Sequence, residues 1–157
     1  MDIKSENATF PPERSEQETE SAVASIIESA VMEPNPPKIP TLITLNYGSK
    51  ELDLFYNAER SRFRTAVQGY EDRERKPEET RLLYLAARKL MQEIANRRQG
   101  EVEYALETVD EKMIQFAQGH GRRIFDWDTG EEKEFRTKKG DIYKKWVFQK
   151  TLRPDLS

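Results

Sequence analysis

The sequence predicts an α+β fold: an N-terminal β-hairpin, two or three helices, and a C-terminal β-hairpin or small antiparallel sheet, all preceded by a disordered arm. Apolar and polar residues alternate on both sides of a glycine at residues 41–56, which is typical of a hairpin. An apolar stripe with helical spacing runs through residues 77–98. Aromatic and β-branched residues are frequent after residue 122, which favours strands there.

The composition limits the classes of protein that this chain can belong to. Its 157 residues suit one domain, and charged residues at 35% against apolar residues at 36% predict a small core or a partly disordered chain. The absence of cysteine excludes disulfides, thiolate metal sites and a cysteine nucleophile. The N-terminus lacks the basic and apolar regions of a secretion signal, and no apolar run is long enough for a membrane span. We therefore expect a cytoplasmic protein with no membrane contact.

The sequence predicts an acidic arm over residues 1–40 and a single α+β domain over residues 41–157. Residues 1–20 are too polar to bury a core and are expected to be disordered. Residues 21–33 carry an amphipathic helical stripe, and the four prolines of residues 34–40 predict a stiff linker. The main residues of the stripe are Val23, Ile26, Ile27 and Val31. A helix this short needs cover in water, so the stripe packs either on its own domain or on a protein partner.

The domain opens with the clearest local pattern in the chain, the segment TLITLNYGSKELDLFY. Gly48-Ser49 predicts a two-residue turn that pairs Tyr47 with Lys50. This register matches apolar with apolar and polar with polar residues, and a shift by one residue would destroy the match. The predicted core face consists of Ile43, Leu45, Leu52, Leu54 and Tyr56.

Two or three helices are predicted to follow this hairpin. Asn57 is expected to cap a first helix that extends to about residue 73. Residues 77–98 predict the most regular helix, with glutamates in its first turn, arginines in its last turn and Gly100 as a left-handed stop. Apolar spacing also favours a helix over 101–118, although its first half alternates like a strand. The sole histidine, His120, is expected in a solvated loop that ends this helix.

The C-terminal part is predicted to be β-structure. The segments RRIFDW and EKEFRT flank Asp128-Thr129-Gly130, which predicts a hairpin around this turn. Residues 141–152 predict a further strand, and a helix capped by Asp141 is the alternative.

No motif for catalysis stands out. The sequence contains neither a phosphate-cradling glycine loop nor a glycine-flanked nucleophile, and a single histidine cannot build a multi-histidine metal site. We therefore expect a non-catalytic interaction or adaptor protein without a cofactor, a small accessory subunit of a larger protein or nucleoprotein assembly. Its expected protein-binding surface is the stripe of Val23, Ile26, Ile27 and Val31.

An alternative function is nucleic-acid binding by the C-terminal segment. Residues 1–40 hold eight acidic and three basic residues, whereas residues 122–157 hold seven acidic and ten basic residues. Cations that alternate with aromatic side chains suit phosphates and unpaired bases, although aromatic residues on a sheet also serve as core. The candidate residues are Arg122, Arg123, Lys138, Lys139, Lys144, Lys145 and Trp146.

A third possibility is a Mg²⁺-dependent nuclease. Asp126 and Asp128 share one face of the predicted strand, and Glu131 and Lys133 follow on the next strand. This spacing resembles the pattern of the PD-(D/E)xK nucleases over about ten residues. The resemblance implies that Asp126, Asp128 and Glu131 hold Mg²⁺ and that Lys133 steadies the attacking water or the phosphate. A plain charged turn is the other interpretation.

Overall fold

The computed structural model describes residues 16–33, 40–48, 50–67 and 77–155. It is an α+β fold, as the sequence predicts, but its seven-stranded mixed sheet is larger than the predicted hairpins. The helices are α1 (Glu16–Glu28), α2 (Pro77–Arg98), α3 (Glu111–Phe116) and α4 (Arg122–Phe125), and a π-helical turn (Ala117–Gly121) joins the last two. The strands are β1 (Val31–Glu33), β2 (Thr41–Tyr47), β3 (Lys50–Asn57), β4 (Arg62–Val67), β5 (Val102–Thr108), β6 (Thr129–Arg136) and β7 (Ile142–Leu152).

The strand order is β1-β2-β3-β4-β5-β7-β6, and the only parallel pair among the described strands is β4 with β5. Helix α2 connects these two strands, as a parallel pair requires, and packs against β2, β3, β5 and β7. Helix α1 packs against α2 and β2. The core therefore lies between one face of the sheet and the helices.

The predicted N-terminal hairpin is confirmed residue by residue. Tyr47 pairs with Lys50, and Ile43 pairs with Leu54. Gly48 has a φ of 62°, a left-handed conformation that glycine adopts without strain. Since only this register places Leu45 and the other apolar residues under the helices, the apolar pattern was sufficient to fix the pairing.

The helix predicted from Asn57 is wrong over the described residues. Strand β3 runs to Asn57, a turn follows, and residues 62–67 form β4. The Asn57 side chain does accept a hydrogen bond, from the Arg60 amide at 3.1 Å, but it stabilises a turn and not a helix. The segment is a strand because Phe63 packs on Tyr56, with ring centroids 4.4 Å apart, and is fully buried. Residues 68–73 of the prediction lie outside the described residues.

The helix predicted at residues 77–98 is confirmed as α2, with Glu78 and Glu79 in its first turn and Arg97 and Arg98 in its last turn. Its termination differs from the prediction. Gln99, with a φ of 54°, adopts the left-handed conformation that was expected of Gly100.

The helix favoured over residues 101–118 is wrong in its first half, where the alternation of a strand prevails. Strand β5 lies between β4 and β7, so both of its edges are paired. The sequence favours a helix here because the apolar spacing over the longer segment 101–118 also fits a helix. Asp110 then accepts a hydrogen bond from the Met113 amide at 3.0 Å and begins α3. His120 lies in the π-helical turn and not in a loop.

The predicted hairpin around Asp128-Thr129-Gly130 is also wrong. The segment before it is the helix α4, and β6 pairs instead with β7 through a turn at residues 137–141. The strand predicted at residues 141–152 is confirmed as β7, and its helical alternative is not. The long, two-sided pairing of β7 with β5 and β6 explains why the strand forms.

The described part of the N-terminal arm is packed on the domain. Helix α1 begins at Glu16, inside the segment expected to be disordered, and residues 31–33 form a strand where a helix was expected. Val23 and Ile26 are buried in the core, and Ile27 is partly buried against it. Of the two alternatives for the apolar stripe, packing on its own domain is therefore the one seen for these three residues. Residues 1–15 and 34–39 lie outside the described residues.

Candidate functional site

The end of the sheet formed by β6 and β7 extends beyond the rest of the fold. Strand β5 pairs with β7 from Trp146 to Leu152, so the first residues of β7 pair with β6 alone. Residues 133–145 therefore form a two-stranded ribbon, which we call the β-arm. Its turn is closed by hydrogen bonds between Thr137 and Asp141, and most of its side chains are exposed.

The β-arm is strongly basic on a chain whose net charge is −3. It carries six basic residues and only two acidic ones, Glu134 and Asp141. The basic residues are Lys133, Arg136, Lys138, Lys139, Lys144 and Lys145. Lys138, Lys139 and Lys144 are exposed and form no ion pair with any residue that the structure describes. These three ammonium groups are therefore free to meet an anionic partner.

One face of the β-arm is held by an aromatic pair. The rings of Phe135 and Tyr143 stack across the two strands with centroids 5.6 Å apart, and the Lys145 ammonium lies 4.5 Å from the Phe135 centroid. Ile142 and Tyr143 nevertheless stay 56% and 42% exposed. The β-arm thus presents apolar as well as cationic surface.

Lys145 differs from the other lysines of the β-arm because it is paired. Its Nζ lies 2.7 Å from the Glu107 carboxylate, which also receives Arg64 at 3.1 Å. Burial disfavours the charged form of Glu107, but the hydrogen bond from Lys145 and the charges of Arg64 and Lys145 outweigh it and lower the pKa of this carboxyl. Lys145, predicted to bind nucleic acid, therefore anchors the β-arm to the sheet.

The opposite face of β6 and β7 forms an aromatic pocket with α4. We call it the Trp pocket; its volume is about 430 Å³. Its lining consists of Gln118, Arg122, Asp126, Trp127, Gly130, Trp146 and Phe148. An adjoining depression shares Gln118, Arg122 and Asp126 and adds Gly119 and Arg123. The structure therefore brings together three of the predicted nucleic-acid residues, Arg122, Arg123 and Trp146, although α4 and β7 are distant in sequence.

The rings of the Trp pocket are held in fixed positions. The Trp127 indole N–H donates to the Ala117 carbonyl at 2.9 Å, in the π-helical turn. Trp127 also stacks on the buried Phe125 ring, with centroids 4.7 Å apart. A Cβ atom on Gly130 would lie 2.7 Å from the Phe148 ring, so glycine is required for this ring to lie flat against β6. A pocket built in this way is formed before any ligand arrives.

The residues of the predicted metal site are not brought together. Asp126 ends α4 with a φ of 52°, so it does not share a strand face with Asp128. Asp128 accepts the Thr151 amide at 2.7 Å, and Glu131 lies 4.0 Å from Lys133. Within the described ranges, no group of three or more His, Asp or Glu side chains is placed to hold a metal ion. The arrangement implied by the nuclease resemblance does not form because α4 replaces the expected strand.

Comparison with known proteins adds no family to these observations. No protein-family model matches the sequence, and no curated protein or solved structure gives a match. In the part of the chain that the structure describes, every helix is too short or too polar to cross a membrane.

Sequence reasoning missed Trp127 and Gln118 as residues of the site. In the sequence, Trp127 is only one of several aromatic residues between basic ones, and Gln118 carries no motif. The spacing Gly119-x-Gly121 was the available signal, because glycines inside a helix weaken it and accompany irregular turns at functional sites.

Proposed function

We propose that this protein is a non-catalytic accessory protein that binds nucleic acid through the β-arm. The observation that carries the proposal is the projecting two-stranded ribbon with six basic residues on an otherwise acidic chain. Phosphate contacts provide most of the affinity of such proteins, and a two-stranded ribbon fits the major groove of a duplex. The exposed ammonium groups of Lys138, Lys139 and Lys144 are the expected phosphate contacts.

A second candidate function is protein docking at the opposite edge of the sheet. Strand β1 is the last described strand on that side, and it exposes 53% of Val31 and 63% of Met32. An exposed apolar edge strand suits the addition of a strand from a protein partner. In this proposal Val31 keeps the partner-binding role expected from the sequence, whereas Val23 and Ile26 support the fold. Both functions together describe a small subunit of a nucleoprotein assembly.

A salt titration with a charge-reversal variant tests the main proposal. The double variant K138E/K139E should weaken binding to a fluorescent 20-nucleotide duplex by at least about tenfold at 0.1 M salt. It should also reduce the slope of log K against log salt by about two, because two phosphate contacts are lost. Thermal unfolding should remain unchanged, since both side chains are exposed.

The matched control is K89E/K112E, which makes the same change in net charge on exposed positions of α2 and α3. It should bind like the original protein if the location of the charges matters. Equal weakening by both double variants would show that only net charge acts, and it would contradict a specific role for the β-arm. Absence of binding to duplex and single-stranded probes at low salt would remove the proposal altogether.

A further inference from the structure

We infer that the Trp pocket holds an unpaired base of a single-stranded nucleic acid. This inference rests on the proposed function, because the β-arm must first bring the nucleic acid to the protein. Such a pocket gives a preference for single strands over duplexes that phosphate contacts alone cannot give. Only an unstacked base has a free face to place against an aromatic ring.

The ring geometry of the pocket favours a flat ligand. Trp146 and Phe148 lie nearly parallel, with an interplanar angle of 20° and centroids 5.7 Å apart. Trp127 packs against the same Phe148 ring, with the two centroids 5.5 Å apart. Trp127 and Trp146 are both half-buried, so each keeps some ring surface accessible from solvent.

The polar groups around these rings fit a base better than a peptide. Gln118 carries an amide and Asp126 a carboxylate, which match the donors and acceptors on the edge of a base. Arg122 and Arg123 are exposed and form no side-chain ion pair within the described residues, so both are available to the adjoining phosphates. A proline-rich peptide would use the aromatic rings but would leave both guanidinium groups without an anion.

The Trp pocket and the β-arm lie along one path. Side chains alternate along a strand, so Lys144 projects from the same face of β7 as Trp146, whereas Lys145 projects from the other. A single strand whose base enters the pocket therefore has its next phosphates near Lys144 and the turn that carries Lys138 and Lys139. On the other face, Lys145 is held by Glu107.

The chain offers a direct probe, because Trp127 and Trp146 are its only tryptophans. Intrinsic fluorescence therefore reports on the pocket. Single-stranded DNA and RNA of one mixed sequence should quench this fluorescence, and a duplex of the same length should bind without comparable quenching. Comparing the DNA and RNA arms shows which of the two sugars the site accepts.

Two substitutions at one position separate the aromatic face from the bulk of the side chain. Trp146→Leu should weaken single-strand binding by about tenfold, because one stacking contact is lost, and should leave duplex affinity unchanged. Trp146→Phe should keep most of the single-strand affinity that Trp146→Leu loses. Circular dichroism checks that the fold remains intact. Equal single-strand affinity of Trp146→Leu and the original protein would overturn the inference.

The outcomes distinguish this inference from the proposed function. If K138E/K139E weakens all probes but Trp146→Leu weakens none, the β-arm binds nucleic acid and the pocket does not hold a base. If an uncharged proline-rich peptide quenches the tryptophans and single strands do not, the pocket binds peptides and the inference is wrong. If no nucleic acid binds at low salt, both proposals fail.

Discussion

The molecule contains two antiparallel hairpins that are stabilised in different ways. The β2–β3 hairpin places Ile43, Leu45, Leu52 and Leu54 beneath helices, where each is buried. The β-arm at the end of β6 and β7 has no comparable cover, and its apolar residues Ile142 and Tyr143 remain exposed. The first hairpin is therefore held by the core, and the second by a ring pair and an anchoring ion pair.

This difference matters for function because a buried position accepts fewer kinds of side chain than an exposed position does. In the first hairpin, an altered residue on the core face changes the packing of the core. In the β-arm, the charges at Lys138, Lys139 and Lys144 can change with little effect on the fold, since these side chains are exposed. A surface that serves binding is thus separated from the residues that maintain stability.

The largest effect is expected from Leu54→Ala in the first hairpin. Leu54 is fully buried, so the truncation removes apolar contacts and leaves a cavity, at a cost of about 2–5 kcal/mol in the free energy of unfolding. Urea denaturation followed by circular dichroism measures this loss. A cost below about 1 kcal/mol would show that the core does not hold this hairpin.

A smaller effect is expected from Glu107→Gln, at the junction between the sheet and the β-arm. The substitution leaves the ammonium of Lys145 without its carboxylate partner and should reduce the free energy of unfolding by about 1–3 kcal/mol at neutral pH. Urea denaturation at pH 7 gives this difference. The control is Glu131→Gln, an exposed acid on β6, which should change the free energy of unfolding little.

The original protein and Glu107→Gln should also differ in how their free energy of unfolding depends on pH. Folding lowers the pKa of Glu107 below its ordinary value of 4.5, so its contribution is fully present above that value and is lost as the pH falls through the folded pKa. The original protein should therefore lose more stability than Glu107→Gln when the pH falls from 7 into the acid range below 4.5. Parallel curves for the two proteins would contradict the pairing.

Sequence reasoning succeeded where a segment has one buried face and local turn or cap signals. The β2–β3 register and the bounds of α2 follow from such patterns. It failed where long-range pairing decided the structure. Strand β5 pairs with both β4 and β7, and this pairing stabilises a strand although the apolar residues also have helical spacing.

The candidate site was predictable in part and for similar reasons. The basic residues of the β-arm could be identified because exposed charges keep their local pattern. The Trp pocket could not, because α4 and β7 meet only in the fold, and α4 itself was expected to be a strand. The apparent metal site has the same origin. Asp126 and Asp128 would share a face only if this segment formed a strand in place of α4.

The smallest effect on stability is expected from Tyr143→Ser in the β-arm. The substitution removes the stack on Phe135, and cross-strand pairs of this kind contribute about 0.2–1 kcal/mol. Urea denaturation should thus change little, because the body of the domain keeps its core. Hydrogen exchange should change more: amides of residues 133–145 should exchange faster, while those of β2 and β3 keep their protection. If the loss of protection instead spreads through the whole sheet, the β-arm and the body unfold as one unit. The separation between a binding element and a stable core would then not hold.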